Sequence, residues 1–217
     1  MFTIAEVVEE LISKKPFLEE GLSRGLINLS ALARELQPKI EKRLYKDVQL
    51  GAIVMALKRL EAKSANKSDS NQLQSVVSSL GDMTVRSNIV EYTFENSSSL
   101  AEKQTQLMHQ ASLLPNSFLT VTDGVFETTF FASANLKSAI DEQMTGEKIK
   151  KQAENLSSIT IIIPEAATDI PGVYYSILKK LAWNGINFVE VVSSFTELTI
   201  FMRSVDIDRA FSILKNK

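Results

Sequence analysis

Residues 169 to 187 read DIPGVYYSILKKLAWNGIN and lie between two β-branched runs, Ile159 to Ile163 and Phe188 to Val192. Asp169 suits a helix N-cap, Pro171 a first helical turn, and Gly185 the position just past the end. Val173, Ile177, Leu178 and Leu181 recur at helical spacing and make one apolar stripe. The stretch predicts a strand, a tight turn, an amphipathic helix and a second strand. At its mouth is a helix N-terminus, whose first amides lack intrahelical partners and favour an anion.

An earlier stretch repeats this pattern. Val85 to Phe94 is strand-like, Ser99 and Glu102 have capping-box spacing, and Leu100, Leu107, Met108 and Ala111 mark a helix ending before Pro115. Asp123-Gly124 separates two strand-like runs as a hairpin would, and Ala134 to Met144 is a further helix. A constant offset of 71 pairs Leu107 with Leu178, Asn116 with Asn187, Thr128 with Thr199, Phe130 with Phe201, Ser133 with Ser204 and Ala139 with Ala210. Each copy has the order β-α-β-β-α. The second closes on a helix carrying Ile207, Ala210, Phe211 and Leu214, so its fourth strand comes from a neighbouring copy, or its edge serves association.

Residues 1–63 read as short helices: Ile4 to Leu11, a small one around Leu18 and Leu22, one from Asn28 or Ser30 that Pro38 interrupts, and Leu50 to Leu60. Arg43, Lys46, Lys58 and Arg59 cluster at helix ends, as in a helix-turn-helix module that contacts DNA. Against this, the candidate recognition helix offers Gly51, Ala52, Met55 and Ala56, with only Gln49 near its start. These cannot make bidentate base contacts. A helical interaction or dimerisation module explains the same residues. The polar stretch 64–82 reads as a linker, and the charged stretch 146–157 as a second one.

Formal net charge is −2 over 217 residues, which argues against a basic nucleic-acid coat. There is no cysteine, so disulfides, zinc–thiolate sites and cysteine nucleophiles are excluded. The N-terminal residues lack a secretory leader and no apolar run approaches a membrane span. A cytoplasmic protein without membrane contact is expected. His109, the one histidine, reads as a surface helix residue rather than a catalyst. Glu190 alternates with Val189 and Val191 and is expected in solvent; Tyr174, Tyr175 and Trp183 read as packing or dimer contacts. No phosphate-cradling loop, metal-ligand spacing or acid–base pair is present, so an enzyme and a bound cofactor are not expected.

The motifs Asp169-Ile170-Pro171-Gly172-Val173, Leu181-Ala182 and Gly185-Ile186-Asn187 resemble the ACT domain, the small regulatory module of aspartate kinases and other amino-acid enzymes. The resemblance is strong for the second copy, weak for the first, and for residues 1–63 one of layout only. That layout resembles ACT-containing regulators of amino-acid metabolism. It implies an α+β fold: a helix-turn-helix-like module (1–63), a degenerate ferredoxin-like βαββα(β) ACT unit (83–145) and an ACT domain (158–217), with antiparallel sheets. It also implies an amino-acid effector bound between paired units. The effector carboxylate would meet the amides of Ile170, Gly172 and Val173 beside Pro171, its ammonium Asp169, and its head group Asn187. The first copy has Leu100-Ala101 opposite Pro171-Gly172 at this offset and is expected to be structural. The resemblance further implies a homodimer. Its output is DNA, through gene expression, or a partner protein; the alternatives are a free-standing subunit docking on an amino-acid biosynthetic enzyme, or an assembly protein without ligand.

Overall fold

The computed structural model describes residues 2–65 and 81–215, so most of the expected linker 64–82 lies outside it. The chain divides into two compact units, residues 1–72 and 73–217.

The first unit comprises α1 (Ile4–Ser13), α2 (Pro16–Ser23), α3 (Leu29–Leu44) and α4 (Leu50–Ala65). Thr3 opens α1 with a true capping box: its hydroxyl accepts the Glu6 amide at 3.2 Å, and the Glu6 carboxylate accepts the Thr3 amide at 2.8 Å. The Asn28 side chain caps α3 by accepting the Ala31 amide at 3.0 Å. Val8, Ile12, Leu22, Leu36, Ile40, Ile53 and Leu57 fill a common core. Pro38, expected to interrupt the third helix, sits inside it. A proline there costs about 3 kcal/mol. Leu36 and Ile40 flank it and are both fully buried. Burying two such side chains is worth roughly 3–6 kcal/mol, which is enough to carry the helix through.

The second unit runs β1 (Met83–Glu95), α5 (Leu100–Leu113), β2 (Leu119–Asp123), β3 (Glu127–Ser133), α6 (Lys137–Gln143), β4 (Ile149–Ile162), α7 (Val173–Trp183), β5 (Glu190–Ser193), β6 (Glu197–Arg203) and α8 (Ile207–Lys215). Its strands form one antiparallel six-stranded sheet in the order β2-β3-β1-β4-β6-β5. The charged stretch 146–157, expected as a linker, instead supplies the first part of β4. This settles where the fourth strands come from. Residues 89–95 of β1 pair with β3 and belong to the first copy, whereas Met83 to Arg86 pair with Ile161 to Ser158 and complete the second. Reciprocally, residues 149–156 of β4 complete the first copy, and 156–162 pair with β6. Each long strand serves both copies. The change of role falls at Asn88 and Asn155, which share a left-handed backbone (φ 57° and 56°) that asparagine tolerates better than other residues with a β-carbon.

The duplication is present, but its register differs from the 71-residue offset. Threonine hydroxyls meet across the sheet at Thr93–Thr129 (3.0 Å) and Thr160–Thr199 (2.8 Å). These pairs, the ends of α5 and α7 (Leu113, Trp183) and the starts of α6 and α8 (Lys137, Ile207) place the halves 70 residues apart, with the long strands offset by 67. A one-residue slip exchanges the faces of a strand. Accordingly Phe130 packs toward the helices while Phe201 lies on the other face, and the true mate of Phe201 is Phe131.

On that other face Ile89, Phe131, Leu156 and Phe201 form a buried cluster. Phe131 and Phe201 stack with centroids 3.9 Å apart, although β1 and β4 lie between their strands. Three strand spacings would separate them by about 14 Å in a flat sheet. The sheet is therefore curled, with this face inside.

Candidate functional site: the N-terminus of α7

β4 ends at Ile162, and a ten-residue loop (163–172) reaches α7. A 3-10 turn (Glu165–Ala167) anchors the loop through buried Ala167, whose carbonyl accepts the Ile170 amide at 3.2 Å. Gly172 then adopts φ 93°, ψ 0° and starts the helix at Val173. Gly172 is thus the N-cap; Asp169 and Pro171 precede the helix rather than capping or opening it. Within α7 the first amide with a backbone partner is that of Ser176, which donates to the Gly172 carbonyl at 2.9 Å. Among the described residues, the amides of Gly172, Val173, Tyr174 and Tyr175 have no backbone partner. Of the three amides expected to hold a carboxylate, that of Ile170 is already used by Ala167. Asp169, Pro171 and Gly172 are exposed, Ile170 is half-buried, and Val173 is buried as the first residue of the apolar stripe. The positive φ of Gly172 also means that Gly172→Leu would strain the backbone, so that change does not leave folding untouched.

Asn187 is exposed at the other end of the helix. Gly185, at φ 67°, reverses the chain after α7, and Asn184 donates to the Lys180 carbonyl at 2.8 Å. Arg209 on α8 donates to the Asn184 carbonyl. The helix between Gly172 and Asn184 holds 11 residues, a length of about 16 Å. Residues 169–173 are therefore brought together, and Asn187 is not brought to them within one copy. Between these ends the outer face of α7 carries Lys179 over the rings of Tyr175 (5.6 Å) and Trp183 (4.9 Å).

A second polar group lies on the inner face of the curl. The Glu91 side chain is 2% exposed; one carboxylate oxygen takes a 2.7 Å bond from Lys151 and the other has no hydrogen-bond partner among the described residues. Glu190, expected in solvent, is half-buried on this face, and burial followed by the Glu91 charge raises its pKa, with Lys151 opposing. Sequence alternation around Glu190 identified a face but not which side of a curled edge strand is covered.

In the first unit, Arg43 pairs with Glu10 at 3.4 Å and lies over the Phe2 ring at 5.7 Å. Lys46, Lys58 and Arg59 are exposed. Lys58 lies about 12 Å along α4 from its start. Of these four cations, Arg43 is already paired with a carboxylate. The sequence did not reveal an open depression of about 670 Å³ lined by Phe2, Lys39, Lys42, Arg43, Leu44 and Tyr45. His109 is exposed on α5. Among the described residues, no helix is long and apolar enough to cross a membrane, and no group of three or more acidic, histidine or cysteine side chains could hold a metal.

No family model and no curated protein sequence matches the chain. Solved structures do. Aspartate kinase from Clostridium acetobutylicum superposes with a TM-score of 0.52 at 12% identity, covering 63% of this chain and 34% of the enzyme. Aspartate kinase from Synechocystis gives 0.51 at 15% identity, covering 63% of this chain and 26% of the other. The ligand-free regulatory subunit of aspartate kinase from Thermus thermophilus gives 0.50 at 11% identity, over 62% of this chain and 95% of the subunit. The chain thus corresponds to about a third or less of the two whole kinases. At these identities the likeness establishes the fold: the C-terminal unit is built as the ACT regulatory region of aspartate kinases is.

Proposed function

We propose that the chain is a non-catalytic, amino-acid-responsive regulator that binds its effector at the N-terminus of α7. The observation that carries this reading is Gly172 in a left-handed conformation, exposed, at the head of a helix whose first amides have no backbone partner among the described residues. Such amides attract a carboxylate through their N–H groups and the helix dipole. Asp169 offers the opposite charge to an ammonium. Asn187 supplies the head-group contact from a second chain, since α7 separates it from the Gly172 of its own chain. Calorimetric titration with the twenty amino acids tests the reading directly. One or a few should bind saturably, and silence across the panel would remove it.

The N-terminal module is proposed as the output, acting on gene expression through DNA. Exposed Lys46, Lys58 and Arg59 support it. Docking on an amino-acid biosynthetic enzyme is the second reading, supported by the likeness to a kinase regulatory subunit. Salt-sensitive retardation of DNA, altered by the effector, distinguishes the first; capture of a biosynthetic enzyme without DNA affinity distinguishes the second.

A further inference from the structure

The first copy already has a carboxylate at its helix mouth. Glu147, in the turn between α6 and β4, reaches the start of α5 with a side chain only 4% exposed. Its carboxylate accepts the Ser97 hydroxyl at 2.6 Å, the Ser99 hydroxyl at 2.7 Å and the Lys103 ammonium at 2.7 Å. Ser97 Oγ in turn accepts the Leu100 amide at 3.2 Å, and Lys103 also donates to the Thr145 carbonyl at 2.7 Å. The capping box expected of Ser99 and Glu102 is not formed, because the Ser99 hydroxyl is turned to Glu147 instead.

The second copy lacks each part of this arrangement. At the 70-residue offset Ser97 corresponds to Ala167, Ser99 to Asp169 and Lys103 to Val173. Four residues (96–99) join β1 to α5, whereas ten (163–172) join β4 to α7. α5 begins at Leu100, but α7 begins at Val173 rather than at its counterpart Ile170, so the first turn is unwound.

We propose that Glu147 is a resident ligand: its carboxylate permanently fills, at the helix mouth of the first copy, a seat made by Ser97, Ser99 and Lys103, three donors that the second copy does not have at the corresponding positions. The seat takes small carboxylates as a class, and Glu147 is the one tethered to it. With the first seat filled, each chain binds one effector; this stoichiometry rests on the function proposed above. The seat itself does not. The three donors hold the Glu147 carboxyl well below the usual range, as a bound anion requires.

Chemical rescue tests the seat. Glu147→Ala should lower the thermal midpoint by about 5 °C or more. Sodium acetate should then restore part of the loss saturably, beyond sodium chloride at equal ionic strength. Wild type and Glu147→Gln, whose side chain still fills the space, should not respond. Equal acetate responses in all three proteins, or none in Glu147→Ala, would overturn the proposal. If Glu147→Ala does not fold unaided, its refolding yield against acetate gives the same answer: acetate-dependent recovery supports the seat, and recovery that ignores acetate refutes it. Rescue by acetate alongside a silent amino-acid panel on wild type would sink the effector reading and leave the resident ligand standing.

Discussion

Glu147 shows how one side chain makes stability depend on pH. Hydrogen bonds from Lys103, Ser97 and Ser99 pull its pKa down to about 2 from an ordinary 4.5. A depressed carboxylate contributes its stabilisation fully above the unfolded value and loses it as pH falls toward the folded one. Discounted for solvent screening near the protein surface, that contribution is about 1–2 kcal/mol. Denaturation profiles should therefore show wild type losing its advantage over Glu147→Gln between pH 5 and pH 2. Glu190 has the opposite sign. Burial and the Glu91 charge raise its pKa, so the folded state resists its ionisation and stability falls as pH rises through the carboxylate range. Glu190→Gln should stabilise the protein at pH 7. The gain should vanish near pH 4. At Gly172, φ 93° makes alanine strained by roughly 1–2 kcal/mol. Gly172→Ala should weaken amino-acid binding in calorimetry at a temperature where circular dichroism shows it still folded.

The two long strands are the elements on which sequence reading divided. Element order and the doubled β-α-β-β-α pattern were visible because apolar periodicity follows burial, as in Val173, Ile177 and Leu181. Residues 149–155 were not, and the reason is local. β6 pairs only with residues 156–162, so the first part of β4 has a neighbour on one side. It is an edge strand there, and its charged residues Lys150, Lys151 and Glu154 are what edge strands carry. A polar edge half and a linker look alike in composition. The offset of 71 misled for a related reason: identities such as Phe130 with Phe201 join residues of opposite faces, and only cross-strand partners fix register. The Phe131–Phe201 stack closing the curl is likewise a long-range contact with no local signature. Truncating either ring to alanine should cost about 3–5 kcal/mol in denaturant unfolding. A double-mutant cycle should return a coupling of about 0.5–1.5 kcal/mol. Additive losses would mean that the curl does not depend on this pair.

At the scale of the whole molecule, the separation of Gly172 from Asn187 dictates how many chains a complete site needs. An amino-acid head group cannot span the roughly 16 Å of α7. If both residues contact one effector, Gly172 comes from one chain and Asn187 from another, across an isologous contact. Ligand then binds the dimer in preference to the monomer, and by linkage it must tighten the dimer by the factor that dimerisation tightens ligand. Sedimentation at increasing dilution should show saturating effector lowering the dimer dissociation constant about tenfold or more, a coupling of at least 1.4 kcal/mol. Mixing two inactive variants gives a sharper result. Gly172→Ala and Asn187→Ala each damage both sites of their own homodimer. In a mixed dimer both lesions fall in one site, leaving the other with native Gly172 and native Asn187. After exchange of subunits about a quarter of the wild-type sites should reappear in calorimetry, since half the dimers are mixed and each regains one of two sites. Asn187 is exposed, so that variant should leave folding undisturbed, and Gly172→Ala is checked for folding as above. No recovery on mixing two folded, dimeric variants would place both residues against the same chain's ligand, or neither against any.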